Sequence, residues 1–329
     1  MKTVLITGAA GYIGSVLTNL VRDEGYKVIA LDRLFFGRDK LPADCDNLKV
    51  VEGDIRFVEP GLFKNVAAVI DLAALSNDPA GELDPIKTYS INHLGRTRVA
   101  ALAKAAGVSR YILPSSCSIY GFQDGMVDET SAVNPLTTYA KANYNVENDV
   151  LAMADDTFTV TVIRQATVYG ASPRMRFDLA INGMVKGFLI NGKIPILKDG
   201  NQWRPFVHVR DTSRAMCLLL KADRKLIQKQ MFNIGSDEQN YQIFDLARRV
   251  AKSLNMEFQY EWYGDPDHRS YRVSFEKVKK LLGYTPEFNA EKGAQEVAEG
   301  MRNGILNPDD PTTITVQWYK KLLNEGVML

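Results

Sequence analysis

Cysteine is scarce in this chain. Cys45, Cys117 and Cys217 are the only three in 329 residues, odd in number and far apart. That spacing argues against a disulfide framework and for reduced thiols in a cytoplasm. His93, His208 and His268 are the only histidines, and they share no ligand spacing with one another or with the cysteines. No metal site is expected. Neither sign of charge dominates, with 40 Lys+Arg against 39 Asp+Glu and a net charge of +1. Long-range steering toward nucleic acid or an anionic membrane is therefore not expected, and no basic face with interleaved aromatics is visible. Apolar runs long enough to span a membrane are missing, and "MKTVLITGAAGYIG" enters a glycine-rich turn rather than a signal-peptide core. Internal repeats and low-complexity linkers are missing too. No G-x-S-x-G elbow surrounds the serines of "PSSCS", which excludes the usual nucleophile of acyl transfer. The remaining class is a cytoplasmic globular protein, and 46% hydrophobic residues over this length suffice for one large domain with a smaller one attached.

What is present is an alternating rhythm. "KTVLIT", "YKVIALD", "NLKVVEGD", "VAAVIDLAA", "RYILPSS" and "FTVTVIR" are short apolar runs suited to strands buried on both faces. Helical patterns lie between several of them, at 12–24 and at 84–107, the latter opened by Asp84 and Pro85 and closed at Gly107. Strand, helix, strand units connected by right-handed crossovers predict an α/β fold with a doubly wound parallel sheet of Rossmann type. Residues 1–165 are expected to form this dinucleotide-binding domain. Residues 166–329 are expected to be mainly a smaller α/β substrate-binding domain, with a return to the sheet near 205–235. Short strands such as "KIPILKD" and "MFNIG" and helices near 241–254, 275–282 and 311–325 belong to that second half.

"TGAAGYIG" places Gly8, Gly11 and Gly14 after the first strand and at the opening of a helix. The first glycine permits a sharp turn, the second a close approach of backbone to pyrophosphate, and the third close helix packing, while the helix N-terminus presents free amides. Asp32 ends the second strand eighteen residues after Gly14, where a carboxylate accepts from ribose hydroxyls and disfavours a 2′-phosphate. NAD is the expected cofactor, although Arg33 beside Asp32 pulls the other way. Asp54, which ends the third strand, is placed either against adenine or as a strand-end cap.

These segments, with "DLAAL", "SSCSIYG", "PLTTYAKANYN", "WRPFVHVRD" and "GDPDHRSYRVSFEKV", resemble in content and order the extended short-chain dehydrogenase/reductases that act on nucleotide sugars. The resemblance runs from residue 3 to about 280. It implies NAD contacts from Gly8, Gly11, Tyr12, Ile13, Gly14, Asp32, Asp54, Ile55, Leu72, Ala73, Ala74, Asn92, Tyr139 and Asn143. It also implies a nucleotide-sugar substrate held by Ser116, Thr167, Arg174, Arg204 and Arg269, catalysis by Tyr139 with Ser116, Ser118 and Asn143, and a homodimer paired through helices 85–106 and 138–154.

Oxidising a secondary alcohol requires a base for the hydroxyl proton, and reducing the ketone requires an acid at the same place. A phenol with a pKa of about 10 needs its anion stabilised before it can serve as the base. Family members use a lysine four residues further along the helix. Two unit charges about 6 Å apart at an effective dielectric of about 20 interact by roughly 3 kcal/mol, or about two pKa units. Here that fourth position is Asn143, and Lys141 points to another face of the helix. Asn143 is able to hydrogen-bond a ribose hydroxyl but brings no charge. Three readings stay open: Tyr139 works with the nicotinamide charge, a water or a lysine from elsewhere; turnover is slow with cofactor held tightly; or the chain binds nucleotide sugar with little turnover.

Reaction type is narrowed by "SSCSIYG". Related 4,6-dehydratases carry an Asp-Glu pair where this chain has Cys117 and Ser118, and decarboxylases carry a glutamate at the latter position. Single-carbon oxidation, reduction or epimerisation is therefore expected. Arg204 and Arg269 suit a diphosphate because a guanidinium fork is bidentate and permanently charged. Pro205 stands where many relatives have Asp and Thr167 where many have Asn. Arg174 and Arg176 are either substrate contacts or a solvated basic loop. "SPRMRFD" with the two later segments resembles a subgroup that includes 4-dehydrogenases of nucleotide-linked heptoses, which implies hydride transfer at C4.

Overall fold

The computed structural model describes residues 1–267, 269–327 and 329, so His268 lies outside the described residues. The first five strands, β1 (Thr3–Thr7), β2 (Lys27–Asp32), β3 (Leu48–Glu52), β4 (Val66–Asp71) and β5 (Arg110–Ser116), fall on the apolar runs read from the sequence. After them come β6 (Phe122–Val127), β7 (Thr159–Gln165), β8 (Thr167–Tyr169), β9 (Ile194–Leu197) and β10 (Trp203–His208). β11 (Gln230–Ile234), β12 (Asn240–Gln242), β13 (Tyr260–Tyr263) and β14 (Ser270–Val273) complete the described strands. Seven of these form one sheet in the order β3-β2-β1-β4-β5-β7-β11, with every neighbouring pair parallel.

Alternation along each strand explains why both faces are covered. Leu5, Val69, Tyr111, Leu113 and Val160 join one core with Val99 and Val146 of the helices Arg96–Ala105 and Thr138–Ala152. Their neighbours Ile6, Ile70, Ile112 and Ile163 join the opposite core with Leu17, Val21 and Met216. Each core removes large apolar area from water, at about 25 cal/mol per Å². The strand order reverses between β1 and β4, and the loops beyond their C-terminal ends diverge there to open a cleft.

The remaining strands form small sheets, β8-β10-β12, β9-β13 and β6-β14. A separate apolar cluster of Phe188, Ile194, Phe206, Leu246 and Val297 holds most of this lid together. The "MFNIG" segment lies in the stretch near 205–235 where a return to the large sheet is expected, and it joins that sheet. Its residues 230–234 are the edge strand of the large sheet, because Phe232 and Ile234 are fully apolar and pair beside β7.

The helix expected at 84–107 is also interrupted. Pro85–Thr88 is α-helical, Tyr89–Gly95 is a π-helical stretch, and Arg96–Ala105 resumes the α-helix. A π stretch shifts the register of every following side chain, and such stretches occur frequently at functional sites. Here both Asn92 and Arg96 face the protein interior.

Candidate active site

One cleft of about 690 Å³ lies across the switch point. Its floor is the glycine turn. Gly8 has φ +64°, and a Cβ there would stand 2.8 Å from the backbone nitrogen of Ala73, so the β1 and β4 loops meet only because that position is glycine. A Cβ at Gly14 would stand 2.2 Å from the Gly8 carbonyl oxygen and destroy the turn. Asp32 accepts from the amides of Ala10 at 2.9 Å and Leu34 at 2.7 Å, which aims the carboxylate along the same edge. Asp54 is differently occupied. Arg33 and Arg56 both donate to its carboxylate, at 2.7 and 2.6 Å, so its fixed partners are these cations.

Most of the residues read from the sequence converge here. Gly8, Gly11, Tyr12, Ile13, Gly14, Asp32, Asp54, Ile55, Leu72, Ala73 and Ala74 line the cleft together with Ser116, Ser118, Tyr139, Thr167, Arg174, Arg204 and Arg269. Two expected cofactor contacts do not line it. Asn92 is fully buried, accepts from the Leu75 amide at 2.8 Å and donates to the Leu75 carbonyl at 3.0 Å. It fixes the loop after β4 from behind, because the π-helical register turns it inward. Asn143 is 1% exposed. Its amide donates to the Tyr139 carbonyl at 3.1 Å and its oxygen accepts from Arg96 at 3.1 Å, so it faces the core rather than a ribose.

The two serines are not equivalent. Ser116 Oγ accepts from the Ser118 amide at 3.1 Å. Ser118 Oγ is buried, belongs to a residue that lines the cleft, and has no hydrogen-bond partner among the described residues. A buried hydroxyl left unpaired costs about 1–3 kcal/mol, which a ligand oxygen would offset. Cys117 between them is turned away, its thiol donating to the Arg164 carbonyl at 3.3 Å. Burial pushes that thiol far above its ordinary range.

Tyr139 stands on the first turn of the helix Thr138–Ala152, capped by Thr137, whose hydroxyl oxygen accepts from the Ala140 amide. Burial pushes its phenol upward and the Asp78 charge adds to that, while Arg96, the Asn143 amide and Arg176 oppose it without cancelling it. Burial therefore favours the neutral phenol.

The lid contributes four arginines, three of them held by carboxylates. Arg204 and Arg269 share Asp267, at 2.7 Å each, and Arg269 also pairs with Asp78. Arg176 grips Asp178 through two bonds of 2.9 Å. Arg174 differs. It is 2% exposed, stacks 3.7 Å over the Phe36 ring, donates to the Thr315 hydroxyl at 2.9 Å and leaves Nε without a partner. Burial and the neighbouring Arg176 charge push its pKa down to about 10. It is therefore no solvated loop residue. Asp78, Asp178, Asp267 and Arg96 had no local signal in the sequence, since only chain contacts far apart bring them here.

The cleft fits a dinucleotide on its own geometry: glycines whose Cβ atoms would block it, an amide-rich helix start, and a carboxylate at the second strand's end. Comparison with known proteins agrees. A profile of the NAD dependent epimerase/dehydratase family matches residues 4–235. The chain belongs to this family. Its cofactor is NAD, and its fold is that of the extended nucleotide-sugar enzymes. A UDP-glucose 4-epimerase of Lactobacillus helveticus is 30% identical over 310 residues, 86% of this chain and 92% of the relative. MoeE5, solved in complex with UDP-glucuronic acid and NAD, superposes with a TM-score of 0.82 at 29% identity, covering 92% of this chain and 99% of that one. DesIV, a dTDP-glucose 4,6-dehydratase from Streptomyces venezuelae solved with NAD, also reaches 0.82, at 26% identity over 93% and 99% of the two chains.

Among the described residues no cluster of His, Cys, Asp or Glu could hold a metal. His208 is stacked on Phe288 with Nε2 2.8 Å from Glu296, and His93 pairs with Asp149 at 2.7 Å. No helix among the described residues is long and apolar enough to cross a membrane.

Proposed function

We propose that this family member is a nucleotide-sugar epimerase or 4-dehydrogenase/reductase, transferring hydride at a single sugar carbon, C4, with Tyr139 as acid/base. The orphaned Ser118 hydroxyl carries this reading, because it lies in the cleft that also holds Tyr139, the glycine turn and Asp32. Bound NAD would accept or return the hydride at that carbon. Ser118 and Ser116 would donate to the sugar oxygen and hold its carbon in line. Tyr139 would exchange the proton of the same oxygen. Arg204 and Arg269, kept extended by Asp267 and Asp78, are assigned to the nucleotide diphosphate.

The buried Cys117 thiol and the hydroxyl of Ser118 argue against 4,6-dehydration, even though DesIV is among the similar structures. Pairing of two copies through helices 85–106 and 138–154 belongs to the same proposal. It is supported by the exposed Ile86 and Leu94 on the first of them.

The test is a panel of UDP-glucose, UDP-galactose and UDP-glucuronic acid with NAD, followed by absorbance of the reduced nicotinamide and by NMR of the sugar. Formation of reduced cofactor or of the C4-inverted sugar is expected. Tight binding of a UDP-sugar with neither signal would favour the alternative of a binding protein with little turnover, for which the uncharged Asn143 is the motivating observation.

A further inference from the structure

The cation nearest in chemistry to the missing lysine comes from a different helix. Arg96 begins the helix Arg96–Ala105 directly after the π-helical stretch and is 1% exposed. One Nη donates to Asn143 Oδ1 at 3.1 Å, and the other donates to the carbonyls of Asp71 and Pro114, both at 2.6 Å. The guanidinium is thereby clamped between the ends of β4, β5 and the Tyr139 helix. Its counter-ion is Asp71, a buried ion pair at 3.9 Å from Nε that makes no hydrogen bond, since the carboxylate accepts from the hydroxyls of Thr7 and Tyr111.

We propose that Arg96, acting through Asn143, is the positioning residue that supplies at Tyr139 the fixed positive charge otherwise brought by a lysine four residues along the helix. Asn143 has the length to accept from the guanidinium while its amide stays on the tyrosine's own turn. A lysine at that position would meet Arg96 head-on, so asparagine here and arginine at 96 form one device. The inference rests on Tyr139 being the acid/base.

The other charges around Tyr139 do not replace it. Arg176 on the lid is neutralised by Asp178. Arg269 is neutralised by Asp267 and by Asp78, the carboxylate that opposes ionisation of Tyr139. Glu82, from the neighbouring short helix, is bound to the amide and hydroxyl of Thr138. Glu147, further along the tyrosine's helix, is held by Ser115 and Arg164. Lys141 is exposed to solvent. Among the described residues, Arg96 is the remaining cation whose position is set by the protein interior and whose sign favours the phenolate.

The experiment needs no turnover. Protein carrying ring-labelled tyrosine and saturated with NAD is titrated by NMR, with the Tyr139 signal assigned by its loss in Tyr139→Phe. With the positive nicotinamide ring of bound NAD adding to the Arg96 charge against the effect of burial, this signal is expected to titrate within the pH range where the fold persists. Arg96→Met should move it upward by about one unit or more, or out of that range, and Arg96→Lys should largely keep it in place. Adding Asn143→Lys to Arg96→Met should bring it back. Asn143→Ala, which severs the link but leaves the charge, should give a smaller rise and covers the case in which Arg96→Met does not fold. A Tyr139 signal that never titrates in the natural protein, that is indifferent to Arg96→Met or Asn143→Ala, or that Asn143→Lys does not restore, overturns the proposal. Failure of the functional reading would instead appear as Tyr139→Phe retaining turnover.

Discussion

The two walls of the cleft handle positive charge in opposite ways. On the sheet wall, Arg96 is spent on two carbonyls and an asparagine and cannot move toward a ligand. On the lid wall, Arg176, Arg204 and Arg269 are held by Asp178, Asp267 and Asp78, while Arg174 has a ring and a hydroxyl but an idle Nε. A charge locked behind a reacting group exerts a constant field and costs nothing to reorganise during chemistry. Charges paired with carboxylates at a cleft mouth are instead exchangeable, because a diphosphate competes for the same fork. In the proposed function, one wall serves a proton and the other a polyanion.

The largest effect should come from the sheet wall. Tyr139→Phe removes the exchangeable proton and is expected to cut turnover by roughly 10²–10⁴-fold while NAD binding, measured by calorimetry, stays unchanged. Equal turnover in this variant would end the distinction between the walls.

On the lid wall, Arg269→Ala should weaken UDP-sugar binding by about 10–100-fold, a loss of roughly 1.5–3 kcal/mol for a charged hydrogen-bonding partner. Turnover at saturating substrate should change far less. A kcat loss without a rise in KM would place Arg269 with the chemistry instead.

Arg174→Met sharpens the comparison further. Arg174 shares the cleft with Asp32 and the glycine turn, and its charge bears on the Asp32 carboxylate. The expected result is about tenfold faster loss of NAD, read by exchange with a fluorescent analogue, with UDP-sugar affinity little altered. The reverse pattern would return Arg174 to the substrate role that its sequence neighbours imply.

The smallest effect concerns acid stability. Burial alone would raise Asp267, Asp178 and Asp54, but Arg269 with Arg204, Arg176, and Arg56 respectively outweigh it and hold all three below the usual carboxylate range. Groups depressed in the folded state stabilise it above the unfolded carboxylate pKa of about 3.9, and that contribution disappears as pH falls through their lowered values. Melting temperature should therefore decline below about pH 4 on account of these groups, and Asp267→Asn should make that acid limb shallower. An unchanged limb would mean that Asp267 keeps its pairing in the unfolded chain.

Legibility followed the range of the interaction. Gly8, Gly14 and Asp32 were readable because a sharp turn after one strand and a carboxylate ending the next are local backbone requirements. Tyr139 was readable because "PLTTYAKANYN" resembles the segment that carries the family's tyrosine. Asn92 and Asn143 do not line the cleft, since a π-helical shift and an arginine 47 positions away in the chain hold their side chains inward. Ser118 was readable as a candidate, but its orphaned hydroxyl depends on how β5, the lid and the Tyr139 helix enclose it.

By itself, the sequence determined the order of strands, the glycine turn, the dinucleotide edge and the position of Tyr139 at a helix start. Each of these is set by periodicity and by residues within one turn of one another. Only the tertiary structure decided which cation stands behind Tyr139, which arginines arrive already paired and which serine hydroxyl lacks a partner. Coulombic and hydrogen-bond energies depend on separation in space, and the fold alone converts distant positions in the chain into contacts of about 3 Å.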